Sequence, residues 1–109
     1  MIAHFDESEW IGLFLDLPAC VGPPEAGVMI FSRRYGHGVE LVAAVDAHAG
    51  EVSLSVSCEG NTVAHYACRT DRVETDAGAI RFYRRGILLA EVLVEPYPCL
   101  TVAANENAE

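Results

Sequence analysis

Residues 51–69 read EVSLSVSCEGNTVAHYACR, and their hydrophobic pattern decides the class of fold. In residues 51–58 every second side chain is apolar and the side chains between them are polar, which is the period of a strand with one face in the core. A similar alternation resumes at residue 62, after a segment that contains Gly60. The stretch therefore predicts an antiparallel hairpin with one buried face.

The turn of this hairpin determines which side chains reach the core. A three-residue loop at residues 59–61 places Val56 opposite Ala64 and keeps the apolar side chains of both strands on one face. A two-residue turn at residues 60–61 would instead direct His65 and Arg69 to the core, because a slip of one residue reverses every side chain. We therefore predict the three-residue loop.

Similar patterns extend in both directions from this hairpin and predict a mainly β chain. An acidic residue, Asp6, precedes a run of apolar residues and favours a helix at residues 7–16. Residues 19–27 contain glycine and prolines and predict a linker loop, whereas residues 71–78 predict a polar turn. Including the two strands of this hairpin, the predicted strands lie near residues 28–35, 39–46, 51–58, 62–70, 79–84, 87–94 and 98–103. The predicted fold is α+β, mainly β: a strongly bent antiparallel β-meander of six to seven strands with the N-terminal helix packed on it.

The length of 109 residues gives room for one domain. We predict a single domain at residues 1–103 and a frayed tail at residues 104–109.

The strand at residues 87–94 is apolar except for Glu91, which predicts a central strand that is buried on both faces. A three-residue turn at residues 85–87 would place Arg81 opposite Glu91, whereas a two-residue turn would place Ile80 there. A buried carboxylate without a partner is costly, and this favours Arg81.

The charge balance excludes several classes of function. Sixteen acidic and seven basic residues give a formal net charge of -9, which repels nucleic-acid phosphates and anionic membranes. The sequence contains no apolar run of the roughly 18 residues that a membrane span needs, and its N-terminus has no basic signal-peptide region. We therefore expect a cytoplasmic protein.

The sequence contains no pattern typical of a catalytic or metal site. His65 and Cys68 are the closest candidate ligand pair, but their odd spacing on a strand directs them to opposite faces. Cys58 and Cys68 would lie about 20 Å apart along the hairpin, too far for a disulfide, and we expect reduced, mostly buried thiols. We predict no catalytic residues, no metal and no cofactor, which makes an enzyme the less favoured class.

Two groups of residues are candidates for partner binding. Acidic side chains cluster in the predicted turn at residues 71–78, where they could attract a basic protein surface. Tyrosine and arginine, which are enriched at binding hot spots, alternate on the strand that follows. The predicted partner-binding residues are Asp71, Glu74, Asp76, Arg81, Tyr83 and Arg85. Alternatively, the arginines pair with Glu91 and Glu95 within the fold.

A small, acidic, cytoplasmic chain without catalytic motifs is similar in profile to bacterial immunity proteins, which neutralise a toxin that is often basic. This resemblance implies a protein-binding module with a basic protein partner. One alternative is a small-ligand-binding domain or enzyme, with a pocket between helix and sheet lined by Trp10, Phe14, Tyr66 and Tyr83. A further alternative is a structural homodimer joined through an edge strand.

Overall fold

The computed structural model describes residues 2–103, which form one α-helix and two antiparallel sheets. The predicted tail at residues 104–109 lies outside the described residues. The helix is α1 (Glu7–Phe14). The strands of the first sheet are β1 (Ala19–Cys20), β2 (Val28–Arg34), β3 (Val39–Asp46), β4 (Glu51–Cys58) and β5 (Asn61–Arg69). Those of the second are β6 (Arg72–Asp76), β7 (Ala79–Arg84), β8 (Ile87–Leu93) and β9 (Cys99–Val102).

The mainly β, antiparallel class with one helix is confirmed, but the single bent meander of six to seven strands is wrong. Within residues 2–103 the meander divides after β5, so that β1–β5 form one sheet and β6–β9 form the other, each in chain order. The two strands that sequence reasoning missed are β1, in the predicted linker, and β6, in the predicted turn. They were missed because each has too few apolar residues to show a period of two.

Strand β6 forms because its backbone is paired on both sides. It pairs with β7, and the N-terminal segment runs parallel to its start. The Ala3 amide donates to the Asp71 carbonyl at 2.8 Å, and the Val73 amide donates to the Ala3 carbonyl at 3.0 Å. Strand β6 thus forms because its backbone groups are hydrogen-bonded on both sides, although its sequence lacks a hydrophobic pattern.

Helix α1 begins where the sequence predicts and ends earlier. The side chain of Asp6 caps the N-terminus by accepting hydrogen bonds from the amides of Ser8 and Glu9. The helix ends at Phe14 because Leu15 adopts a left-handed conformation with φ 61°, and its amide donates to the Ile11 carbonyl at 2.8 Å.

The core lies between the two sheets, and α1 contributes its largest side chain to it. Trp10 is fully buried, with its ring centroid 5.2 Å from that of Phe31 in the first sheet and 6.3 Å from that of Phe82 in the second. Phe5 and Phe14 pack against the same indole ring. The helix therefore contacts both sheets through Trp10.

The register predicted for the β4–β5 hairpin is confirmed from the Val56–Ala64 pair to the end of the hairpin away from the turn. The predicted three-residue loop is wrong. Val56 lies opposite Ala64, but Cys58 lies opposite Asn61 across a two-residue turn. Both turn residues, Glu59 and Gly60, have positive φ, as the right-handed twist of a hairpin requires. A bulge between the turn and Val56 inserts one residue into β5 and returns the apolar side chains to the core.

The β7–β8 hairpin also combines a two-residue turn with a bulge that keeps its apolar side chains on the core face. A two-residue turn at Arg85 and Gly86, both with positive φ, is followed by a bulge beside Phe82. The bulge places Arg81 opposite Glu91, the pairing that the cost of an unpaired carboxylate favoured.

Strand β8 is an inner strand of the second sheet, as predicted, but only one of its faces is buried. Ala90 and Val92 are buried and face the core, whereas Leu89, Glu91 and Leu93, which alternate with them, are only half-buried. The uninterrupted apolar run therefore overstates the burial of this strand.

Thr70 links the two sheets where the chain passes from β5 to β6. Its side chain is buried, and its hydroxyl lies 2.7 Å from the Tyr83 carbonyl and 3.0 Å from the Arg72 carbonyl. Its amide donates to the Gly50 carbonyl of the first sheet at 2.8 Å.

We expect Thr70→Val to lower the free energy of unfolding by about 1–2 kcal/mol, because it keeps the shape and removes the single hydroxyl proton that the Tyr83 and Arg72 carbonyl groups share. Thr70→Ser retains the hydroxyl and serves as the control. Urea unfolding measures both variants. A loss of stability in Thr70→Ser and none in Thr70→Val would show that the methyl group, and not the hydrogen bond, matters at this position.

Candidate functional site

The N-terminal segment and the β6–β7 hairpin enclose a polar groove that is rich in carboxylates. Its lining includes His4, Phe5, Ser8, Val73, Thr75, Arg81 and the carboxylates of Asp6, Glu7, Glu9, Glu74 and Asp76. We call this site the acidic groove. Five acidic side chains against one arginine give it a negative potential, which suits a cationic ligand surface.

Two local interactions hold the walls of the acidic groove together. Asp6 is fixed by its role as the cap of α1. Glu9 accepts a hydrogen bond of 2.6 Å from the Thr75 hydroxyl, which ties the first turn of the helix to β6. The groove is therefore built from segments nearly 70 residues apart, since Glu9 and Thr75 differ by 66 in sequence.

The structure brings the six predicted partner-binding residues to one sheet but does not gather them at one point. Glu74, Asp76, Arg81 and Tyr83 alternate with buried residues and lie on the outer face of the second sheet. Asp71 and Arg85 lie together at one end of it, where the Arg85 amide donates to the Asp71 carboxylate at 2.9 Å. Three of the six, Glu74, Asp76 and Arg81, line the acidic groove.

Arg81 is held between two carboxylates. Its Nε donates to Glu91 Oε2 at 2.8 Å, and its Nη1 lies 3.7 Å from Asp76 Oδ2. The hydrogen bond to Glu91 and the charges of both acids raise the pKa of Arg81 above its ordinary value. The alternative of internal pairing thus holds for Arg81 and Glu91, and the Asp76 side chain stays 70% exposed beside them.

Arg72 extends this arrangement toward Tyr83. Its guanidinium carbon lies 4.3 Å from the centre of the Tyr83 ring, and its Nε lies 3.5 Å from Glu74 Oε2. The cation–π contact stabilises the packing of the Arg72 guanidinium on the Tyr83 ring.

Sequence reasoning missed Asp6, Glu7 and Glu9 as members of this site. Acidic residues in the first turn of a helix are explained by the helix dipole alone, so the sequence gives no signal of a second role. The parallel pairing of the N-terminal segment with β6 and the packing of the helix bring them beside Glu74 and Asp76.

Arg33 and Tyr35, at another corner of the fold, make structural contacts. Arg33 donates to the Leu13 carbonyl at 2.8 Å and to Glu95 at 3.1 Å, which joins the helix and the two sheets. The Tyr35 hydroxyl donates to the Val94 carbonyl at 2.6 Å. Glu95 is thus the internal partner of Arg33.

The prediction of a ligand pocket between helix and sheet, lined by four aromatic side chains, is wrong. Trp10 and Phe14 are packed against other aromatic rings in the core, and Tyr66 is half-buried at its margin. Tyr83 lies on the opposite, outer face of the second sheet. These four side chains therefore cannot line one cavity.

The four cysteines are unbridged, which agrees with the distance argument for Cys58 and Cys68. The prediction that they are mostly buried is wrong, because Cys20 and Cys99 are exposed and the other two are partly exposed. Among residues 2–103, no three His, Cys, Asp or Glu side chains are grouped so as to hold a metal ion. That part of the chain also contains no helix with the length and apolar character to cross a membrane.

Comparison with known proteins identifies a similar fold but no family. No family model matches this chain, and no curated protein matches its sequence. Among solved structures, it is similar to a chain of the contact-dependent growth inhibition toxin–immunity protein complex from Klebsiella pneumoniae 342. The TM-score is 0.73, with 11% sequence identity over 91% of this chain and 93% of the other. The two chains share a fold over almost their whole lengths.

The stability of the fold depends on pH through three partly buried side chains, those of Tyr35, Tyr66 and Cys68. Burial is the main reason that the pKa of each is raised above its ordinary value; the Glu95 charge also raises that of Tyr35, while Arg33 lowers it. In each case the folded chain holds the proton more tightly than the unfolded chain, so the stabilisation is complete below the unfolded pKa and is lost as pH rises through the folded pKa.

We therefore expect the free energy of unfolding to fall as pH rises above about 9–10, where thiols and phenols titrate. Tyr35→Phe should be less stable at neutral pH by about 1 kcal/mol, because it loses one hydrogen bond, and should decline less steeply in alkali. Urea unfolding at several pH values measures both effects. A decline in the variant as steep as in the parent protein would contradict the assignment to Tyr35.

Proposed function

We propose that this chain is an immunity-type protein that binds a basic protein toxin in the bacterial cytoplasm and neutralises it. The observation that carries the proposal is the likeness, over nearly the full length of both chains, to a component of a toxin–immunity complex. The net charge of -9 supports a basic partner, since opposite charges steer association.

The proposed docking surface is the acidic groove together with the outer face of the β6–β7 hairpin. Asp71, Glu74 and Asp76 supply charge, and the side chains of Arg81, Tyr83 and Arg85 supply contact area and directed hydrogen bonds. The pairing of Arg81 with Glu91 supports this assignment, because it limits how far Arg81 offsets the carboxylates around it.

We expect Glu74→Gln combined with Asp76→Asn to slow association with the basic partner about tenfold at low salt and much less at physiological salt. The partner is captured at low salt with the tagged chain, identified by mass spectrometry and purified for stopped-flow measurements. Asp16→Asn with Glu59→Gln removes the same charge outside the acidic groove and is the matched control. An association rate that is independent of salt, or equal losses in both double variants, would contradict electrostatic docking at this site.

Neutralisation is tested separately from binding. The gene of the captured partner is expressed in a bacterial host, alone and together with this chain. Growth arrest by the partner alone and growth in the presence of both supports the proposal. A partner that binds without arresting growth would leave a protein-binding module but reject the immunity role.

A second candidate function is the homodimer, and the open edge of the first sheet favours it. Strand β5 is an edge strand of nine residues, long enough to pair with another chain. A monomeric mass in analytical ultracentrifugation across the micromolar range would reject this candidate.

A further inference from the structure

The outer face of the first sheet carries a groove separate from the acidic groove. The groove is open to solvent and has a volume of about 470 Å³. The register aligns Ala44, Ser53 and Ala67 across three neighbouring strands, and these small side chains form its floor. Val28 borders the floor on β2. We call this site the sheet groove.

Two carboxylates stand at one end of the sheet groove. Asp46 on β3 lies directly opposite Glu51 on β4, and both line the groove. Like charges directly opposite each other destabilise an antiparallel pair. At the other end of the same face Arg34 lies opposite Glu40, an attractive pair with a separation of 3.7 Å. The repulsive pair is therefore confined to the end of the face that contains the sheet groove.

The contacts within the fold compensate this repulsion only in part. Arg69 also lines the sheet groove and lies 3.6 Å from Glu51, but both side chains are more than half exposed, and such surface pairs contribute little. Asp46 is fixed by the turn, because its Oδ1 accepts the Ala49 amide at 2.9 Å. A cation between Asp46 and Glu51 would relieve the remaining repulsion.

The chemistry of the sheet groove selects one kind of cation. Its apolar floor disfavours a hydrated metal ion but suits a chain of methylene groups. An arginine side chain combines such a stem with a planar guanidinium whose several N–H donors can reach two carboxylates at once. The occupant that complements both parts of the groove is therefore an arginine.

The neighbouring edge of β5 indicates how a protein would deliver that arginine. The Thr70 amide bonds to the Gly50 carbonyl, and pairs in an antiparallel ladder alternate between hydrogen-bonded and non-bonded. The backbone groups of His65, Ala67 and Arg69 consequently point away from β4, toward the open edge. An extended segment that pairs with this edge would place every second side chain on the same face as the sheet groove.

We propose that the sheet groove binds an arginine carried on an extended segment of a protein partner, with Asp46 and Glu51 receiving the guanidinium. The proposal rests on the proposed function for the identity of that partner, but the chemistry of the sheet groove can be tested without it.

The test uses the full chain, labelled with nitrogen-15, and the peptide acetyl-Thr-Val-Arg-Val-Thr-amide as the probe. We expect saturable changes in the amide NMR signals of Ala44, Ser53 and Ala67. The same peptide with citrulline in place of arginine keeps the shape and loses the charge. It should bind about tenfold more weakly, or more weakly still, because charge-assisted hydrogen bonds are lost. Equal binding of both peptides, or signal changes confined to the acidic groove, would overturn the proposal.

Matched variants locate the effect. Asp46→Asn with Glu51→Gln preserves an acceptor for the Ala49 amide and should abolish the arginine-dependent binding. Asp16→Asn with Glu59→Gln removes the same charge elsewhere and should leave it unchanged. Loss of binding in both double variants, or groove signals that shift with protein concentration alone because a second copy occupies the site, would also overturn the proposal.

The two proposals can fail separately. Specific binding of the arginine peptide in the absence of a growth-arresting partner would reject the immunity role and keep the sheet groove. A neutralised toxin that binds the Asp46→Asn, Glu51→Gln variant as tightly as the parent protein would reject the sheet groove and keep the immunity role.

Discussion

The packing of Trp10 between the two sheets is the interaction on which the rest of the structure depends. Burial of an indole removes roughly 150–250 Å² from water and contributes about 4–6 kcal/mol. Its Nε1 is buried without a hydrogen-bond partner among the described residues, which costs about 1–3 kcal/mol. The apolar term is larger, so the ring holds the helix, Phe31 and Phe82 together despite the unsatisfied donor.

The position of Trp10 also determines where charge collects. A helix anchored by its indole brings its own N-terminus beside β6, where Glu9 bonds to Thr75. The carboxylates that cap and begin the helix then stand next to those of the β6–β7 hairpin. The acidic groove is thus a consequence of core packing. Its polar lining leaves no apolar pattern in the sequence from which the groove could be predicted.

The two bulged hairpins show how far local pattern can predict register. The alternation of apolar residues correctly predicted that Val56 lies opposite Ala64, and the cost of an unpaired Glu91 correctly favoured Arg81. The turns themselves were wrong, because a two-residue turn matches the strand twist and a bulge then corrects the side-chain faces. Burial of apolar side chains determined which face of each strand lies against the core. Backbone twist determined that a two-residue turn followed by a bulge, and not a three-residue loop, produces that arrangement.

The sequence by itself determined the mainly β class, the start of the helix, the core faces of the longest hairpin and the separation that keeps Cys58 and Cys68 from forming a disulfide. Each of these depends on residues close together in the chain, whose periodicity and spacing record burial directly. The tertiary structure alone decided the division into two sheets, the polar strand β6 and the acidic groove. These features depend on backbone pairing and on contacts between distant segments, such as Ala3 with Arg72, and such contacts leave no periodic pattern in either segment.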